Sequence, residues 1–368
     1  MTTPALGCPV PRHPEMIDRR VTTSNPEFRQ KLAWGVVWTT IVFATGCVPT
    51  AESDVVVYSA ADQEFARPIL QAFERGVDHD IGVAAKYDIE STKTVGLANQ
   101  ILAEFKTPVA DVFWNNEVLH TIRLQQEGIL ASRNWKLPPG FPSDMRARDG
   151  TWCGFAARAR VLIVNTERLP DRDQWPRSVD ELMDPKWKDR CGMARPLFGT
   201  TATHFAVRAT RRGIDETLSD LKTIADNAAI LSGNKQVALS VSSGSLDWGL
   251  TDTDDAIIEK DGGYPVEIVF PDQGSSQVGT LRIPNTVAVL QNAPHPVAAG
   301  RLADHLVSPE TEERLAMGDS SQIPLFREVE FPPRVLPRDP VRWMKVDFEA
   351  AAEIWPTWIE QVDQVLGP

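Results

Sequence analysis

The chain lacks a basic surplus. It has 38 Lys and Arg against 50 Asp and Glu, a formal net charge of −12. Binding a nucleic-acid backbone needs a basic face, so a nucleic-acid partner is excluded. Cysteine is scarce: there are 4 and no C-x-x-C pair, which argues against a structural zinc site. No Ser/His/Asp or Cys/His arrangement stands out and no phosphate-cradling G-x-x-x-x-G-K is present, so no catalytic activity is expected. No apolar run reaches the roughly 20 residues of a bilayer span, and there is no internal repeat or low-complexity block. What is present is a 42% hydrophobic, 24% charged chain of 368 residues. That is a globular composition, long enough for two lobes, since single cores stop growing at roughly 250–300 residues.

Residues 1–30 carry Pro, Thr and Arg without helical or strand period, and read as a disordered leader or an over-long start. Residues 32–44, LAWGVVWTTIVFA, follow Arg19, Arg20, Arg29 and Lys31. A basic flank, a short apolar core and small residues before a cysteine make a secretory signal. Ala44-Thr45-Gly46-Cys47 resembles a bacterial lipobox, with Ala44 where Leu is usual. The expectation is an exported protein, lipid-anchored at Cys47 in the periplasm, with residues 1–47 as leader. A plain signal peptide or a short membrane anchor is the other reading.

From Asp54 the pattern alternates. Val55-Val56-Val57 reads as a buried strand ending at Tyr58-Ser59, and an amphipathic helix starts near Gln63. Strands at 81–87 and 110–114 alternate with helices at 95–105 and 118–127, which predicts a mostly parallel sheet with helices on its faces. The extended run 152–166, WCGFAARARVLIVNT, exceeds an ordinary strand and suits a crossing between lobes. Further strands and helices follow, and the last helix, 348–365, is expected to break or kink near Pro356.

In α/β sheets, ligands bind beyond the carboxyl ends of the strands. Tyr58, Ser59 and Asp62 are therefore expected to face a cleft, beside free N–H groups of a helix N-terminus; an ordinary surface turn is the alternative. Asp252, Asp254 and Asp255 concentrate charge in a predicted loop. Such carboxylates suit a hard cation and also pair with ammonium or guanidinium groups, although acids that cap the next helix account for them equally. Arg158 and Arg160 share one face of the long strand, where they could hold an anion or form an inter-lobe salt bridge. Thr200 and Thr201 open a helix, either for an anion or as simple caps. Trp114 and His204 read as packing residues, and a bridge between Cys153 and Cys191 is left open.

VVVYSAADQEFARPILQAFE, PVADVFWNN and WCGFAARARVLIVNT, in that order and at domain-scale spacing, resemble the periplasmic solute-binding proteins of the ferric-ion type that serve ABC importers. The resemblance covers residues 54–317. It implies an α/β, two-lobe, type II periplasmic-binding fold, each lobe a mixed sheet flanked by helices, with two crossings between the lobes. Residues 54–150 and 285–368 would form lobe 1 and residues 151–284 lobe 2. It further implies ferric iron or another hard cation as ligand, with an accompanying anion, rather than a cofactor. A permease and an ATPase would be the partners of a monomeric carrier. The family's tyrosine pair falls at Asp254-Asp255, its histidine at Asp62 and its glutamate at Asn116, with Glu117 one place later. The resemblance thus implies Tyr58, Asp252, Asp254 and Asp255 as metal ligands, and Ser59, Asp62, Asn116, Glu117, Arg158, Thr200 and Thr201 around them. A polyamine or an aminophosphonate is the alternative cargo.

Overall fold

The β-branched run forms β1 (Val55–Ser59), flanked in parallel by β2 (Val83–Tyr87) and β3 (Val112–Asn115). α1 (Gln63–Arg75) buries Ala66, Ile69, Leu70 and Phe73, spaced to form one stripe facing the sheet. α2 (Val95–Ala103) and α3 (Leu119–Gln126) complete the first β-α repeats. The computed structural model describes residues 55–76, 81–88, 94–326 and 333–367, all within one compact unit spanning Pro49–Pro368. The leader and Cys47 lie outside the described residues.

The predicted crossing is β4 (Trp152–Asn165), buried at every residue. After it come β5 (Cys191–Ala194), α4 (Gly199–Arg212), α5 (Ile214–Asn227), β6 (Ala229–Leu231), α6 (Asn234–Ser242), β7 (Trp248–Asp252), α7 (Thr253–Asp261) and β8 (Val266–Val269). The chain then returns through β9 (Arg282–Val289), α8 (Pro296–Leu306), α9 (Pro309–Met317) and α10 (Phe348–Leu366). Among the described residues the strand order is β2-β1-β3-β9-β4-β7-β5-β6, with β8 also paired to β4. From Trp152 to Ala159, β4 lies antiparallel to β9; from Arg160 to Val164 it lies antiparallel to β7. One long strand thereby joins a β1-centred half to a β5/β7-centred half, the mixed α/β two-lobe fold expected.

Two expectations need correction. Asp254 and Asp255 are not in a loop: β7 ends at Asp252, and both acids occupy the first turn of α7, where the helix dipole favours negative charge. The last helix runs unbroken through Pro356. Its inner face, including the fully buried Trp358, packs on α3, α4 and α5, which supplies the burial that holds a helix despite one missing N–H. Cys153 and Cys191 are both buried free thiols, with no bridge between them.

Candidate functional site

A cavity of about 100 Å³ opens where the start of α1 meets the starts of α4, α6 and α7. Arg158 and the acids Asp62, Asp252, Asp254 and Asp255 line it, along with Asn116, Thr200 and Thr201. The ligand oxygens of Asp252, Asp254 and Asp255 all lie within 4.8 Å of one another.

The strand register decides which charges are held. Arg160 on β4 sits directly across from Asp252 on β7. Its guanidinium is fully buried and donates to Asp252 Oδ1 at 2.6 Å, to Thr200 Oγ1 and Thr201 Oγ1 at 3.1 Å, and to Asn234 Oδ1 at 3.0 Å. Asp252 Oδ2 accepts from Thr200 Oγ1 at 2.5 Å and from Asn234 Nδ2 at 2.9 Å. This network, in which only Arg160 Nε is left without a hydrogen-bond partner among the guanidinium and carboxylate atoms of the pair, forms the cavity floor, and it occupies the two threonine hydroxyls expected to meet a ligand.

Arg158, two residues earlier on the same strand face, reaches Asp254 with Nε 3.4 Å from Oδ2. Burial alone would lower the Arg158 pKa, but the charges of Asp254, Asp252, Asp62 and Asp255 outweigh it and raise it. Asp62 therefore acts on the same guanidinium from the β1 half. Across the cavity mouth, Lys235 Nζ on α6 lies 3.8 Å from Glu64 Oε1 on α1. Both side chains are well exposed, so this pair contributes at most about 1 kcal/mol.

Three expected ligands are elsewhere. Tyr58 does not line the cavity: its hydroxyl donates to Glu104 Oε2 at 3.0 Å and accepts from Gln100 Nε2 at 2.9 Å, both on or at the end of α2. Burial, then the hydrogen bond to Glu104 and its charge, push its pKa up to about 12, the wrong direction for a phenolate ligand. Ser59 is fully buried and off the cavity. Glu117 caps α3, accepting from Leu119 N at 2.5 Å and His120 N at 2.9 Å, and takes Thr203 Oγ1 at 3.0 Å. Burial raises its pKa despite these donors. Trp114 is core, packed on Phe155 at 5.4 Å, and His204 is buried within α4, its pKa driven well down by burial and then by Arg160 and Arg208.

The residues missed are Glu64, Arg195, Asn234 and Lys235, all lining the cavity. Arg195 directly follows β5 and Asn234 opens the helix after β6, so the strand-end rule applied to β1 finds them when applied to every strand.

We expect Tyr58→Phe to leave ligand affinity within twofold of wild type and to lower stability by about 1 kcal/mol through the lost hydrogen bonds. Calorimetric titration and urea unfolding check both; a tenfold affinity loss would return Tyr58 to the site.

Residues 108–351 match the family described as bacterial extracellular solute-binding protein, and the chain belongs to that family. It is 27% identical over 241 residues to the iron uptake protein A2 of Synechocystis sp., which spans 61% of this chain and 67% of that protein. In three dimensions it is similar to the ferric binding protein of Campylobacter jejuni, with a TM-score of 0.75, 19% identity and coverage of 85% and 99%. It is also similar to the periplasmic binding protein AfuA of Actinobacillus pleuropneumoniae, solved with fructose-6-phosphate, with a TM-score of 0.72, 20% identity and coverage of 86% and 99%. No helix among the described residues is long and apolar enough to cross a membrane.

Proposed function

We propose that this solute-binding protein captures ferric iron or another hard cation, with a small anion, between its two lobes and delivers it to the permease and ATPase of an importer. The observation that carries the reading is the convergence of Asp252, Asp254 and Asp255 on one small cavity. Oxygen ligands within reach of one another are what a hard cation requires. Arg160 fully engages Asp252, so Asp254 and Asp255 do the coordinating, with Asp62 facing them. Lys235, Arg195 and the starts of α4 and α6 supply the positive side on which an anion rests. A volume near 100 Å³ is well below the roughly 300–1,000 Å³ of organic-ligand pockets, which favours a cargo of few atoms over a polyamine. The iron uptake relative agrees in kind.

One observation favours a second reading. Arg158 and Lys235 line the cavity together with the acids, so a small aminophosphonate would find both cations for its phosphonate and carboxylates for its ammonium there. In either case the protein works as a carrier without catalysis, as a monomer tethered through Cys47. Lobe 1 is residues 54–150 with 285–368, and lobe 2 is residues 151–284.

Calorimetric titration separates the readings. Binding of Fe³⁺ supplied as citrate, with Ca²⁺ weaker and 2-aminoethylphosphonate silent, is the expected result. Binding of the aminophosphonate alone would replace the metal reading with the second one.

A further inference from the structure

The crossing strand β4 is not regular. Phe155 pairs with Asn285 and Ala157 with Pro284, so Ala156 is the extra residue of a β-bulge. Its φ is +37°, left-handed space that alanine rarely enters. A bulged residue leaves the ladder with its N–H and C=O unpaired, and both are buried here. Two side chains from distant segments take them. The Ala156 N–H donates to Glu312 Oε1 on α9 at 2.8 Å. Its carbonyl accepts from Nδ2 of Asn285 on β9. The Glu312 carboxylate also accepts Leu325 N–H at 3.0 Å and Phe326 N–H at 2.7 Å. Asn285 further donates to Gln322 Oε1 at 2.8 Å.

This bulge lies inside the stretch where β4 pairs with β9, two residues before Arg158 and four before β4 passes to β7 at Arg160. Arg158 connects the two features, with Nη2 3.5 Å from Asn285 Oδ1 and Nε toward Asp254 in the cavity. We propose that Ala156 is the pivot of lobe closure and that Glu312 and Asn285 are positioning residues that clamp it, so that a cargo acting on Arg158 is felt at the pivot. The proposal rests on the two-lobe carrier reading above but not on which cargo it carries. Glu312 is buried with its carboxylate turned to three backbone donors, which is a costly arrangement for a residue needed only for packing. Burial raises its pKa even against those donors.

The test compares wild type, Glu312→Gln and Ala156→Gly as full chains. Gln presents an amide donor where three N–H groups converge, and so loosens the clamp. Gly suits a positive φ and frees the pivot, its backbone freedom set against the loss of one buried methyl from the core. Solution scattering of the ligand-free proteins, stopped-flow release of Fe³⁺-citrate by tryptophan fluorescence, and thermal melting are measured together. Expected is a larger radius of gyration and at least fivefold faster release in both variants, with Tm lowered in Glu312→Gln and kept in Ala156→Gly. The melting control separates a hinge effect from lost stability, and Ala156→Gly carries the test if Glu312→Gln fails to fold. Wild-type scattering and wild-type release in Ala156→Gly would overturn the proposal. If wild type takes up no Fe³⁺-citrate, the cargo reading fails, and scattering of the free proteins alone decides the hinge: an unchanged profile in Ala156→Gly overturns it.

Discussion

Asp254→Asn/Asp255→Asn is expected to bind Fe³⁺-citrate at least about 100-fold more weakly than wild type, a loss near 2.7 kcal/mol. The two carboxylates are half of the acids lining the cavity once Asp252, held by Arg160, is set aside; Asp62 and Glu64 are the others. Removing both turns the wall positive, with Arg158, Arg195 and Lys235 left to repel a cation. Asp254 is also the buried partner of Arg158, so the double variant carries a stability penalty. Asp255→Asn alone, at a half-buried position, is the safer companion and is expected to lose about tenfold, or 1.4 kcal/mol. Calorimetry on both, with circular dichroism to confirm folding, reads the effect. Unchanged affinity would mean that the two acids serve only to stabilise the first turn of α7.

Arg160→Met is expected to destabilise the protein by about 3–5 kcal/mol, because it strands the Asp252 carboxylate in the interior with only Thr200 and Asn234 as donors. The pair itself is not worth that much; the cost is that of one buried charge without the other. Arg160→Met combined with Asp252→Asn should therefore recover most of the loss, since no full charge then remains at that position. Urea unfolding of the single and double variants measures this. A single-variant loss under about 1 kcal/mol would show that water or Asn234 satisfies Asp252 without the arginine, and that the floor of the cavity is not the rigid network described.

How far the residues foretell this site depends on whether a feature is local. Val55-Val56-Val57, the stripe of α1 and the length of β4 are local signals, and each became the expected element. The shared face of Arg158 and Arg160 follows from strand period alone. Which acid each arginine meets does not, because the antiparallel register of β4 with β7 joins residues 92 apart in sequence. Tyr58 shows the opposite failure. Its position at a strand end predicts that it faces the ligand, yet its hydroxyl turns to α2, where Glu104 and Gln100 hold it. Only the packing of α2 over β1 decides that. Glu117 follows Asn116 directly in sequence, but side chains one apart diverge: Asn116 lines the cavity and Glu117 accepts from the first N–H groups of α3. The chain has 3 tyrosines and none of them lines the cavity, whereas Asp62, Glu64, Asp252, Asp254 and Asp255 do.

Anomalous diffraction at the iron edge, from crystals grown with Fe³⁺-citrate, tests the central claim most directly. One iron peak within coordination distance of Asp254 and Asp255, with Asp62 opposite and an anion against the starts of α4 and α6, is the predicted result. A cavity without iron, holding instead an organic anion bound through Arg158, Asn234 and Lys235, would contradict it.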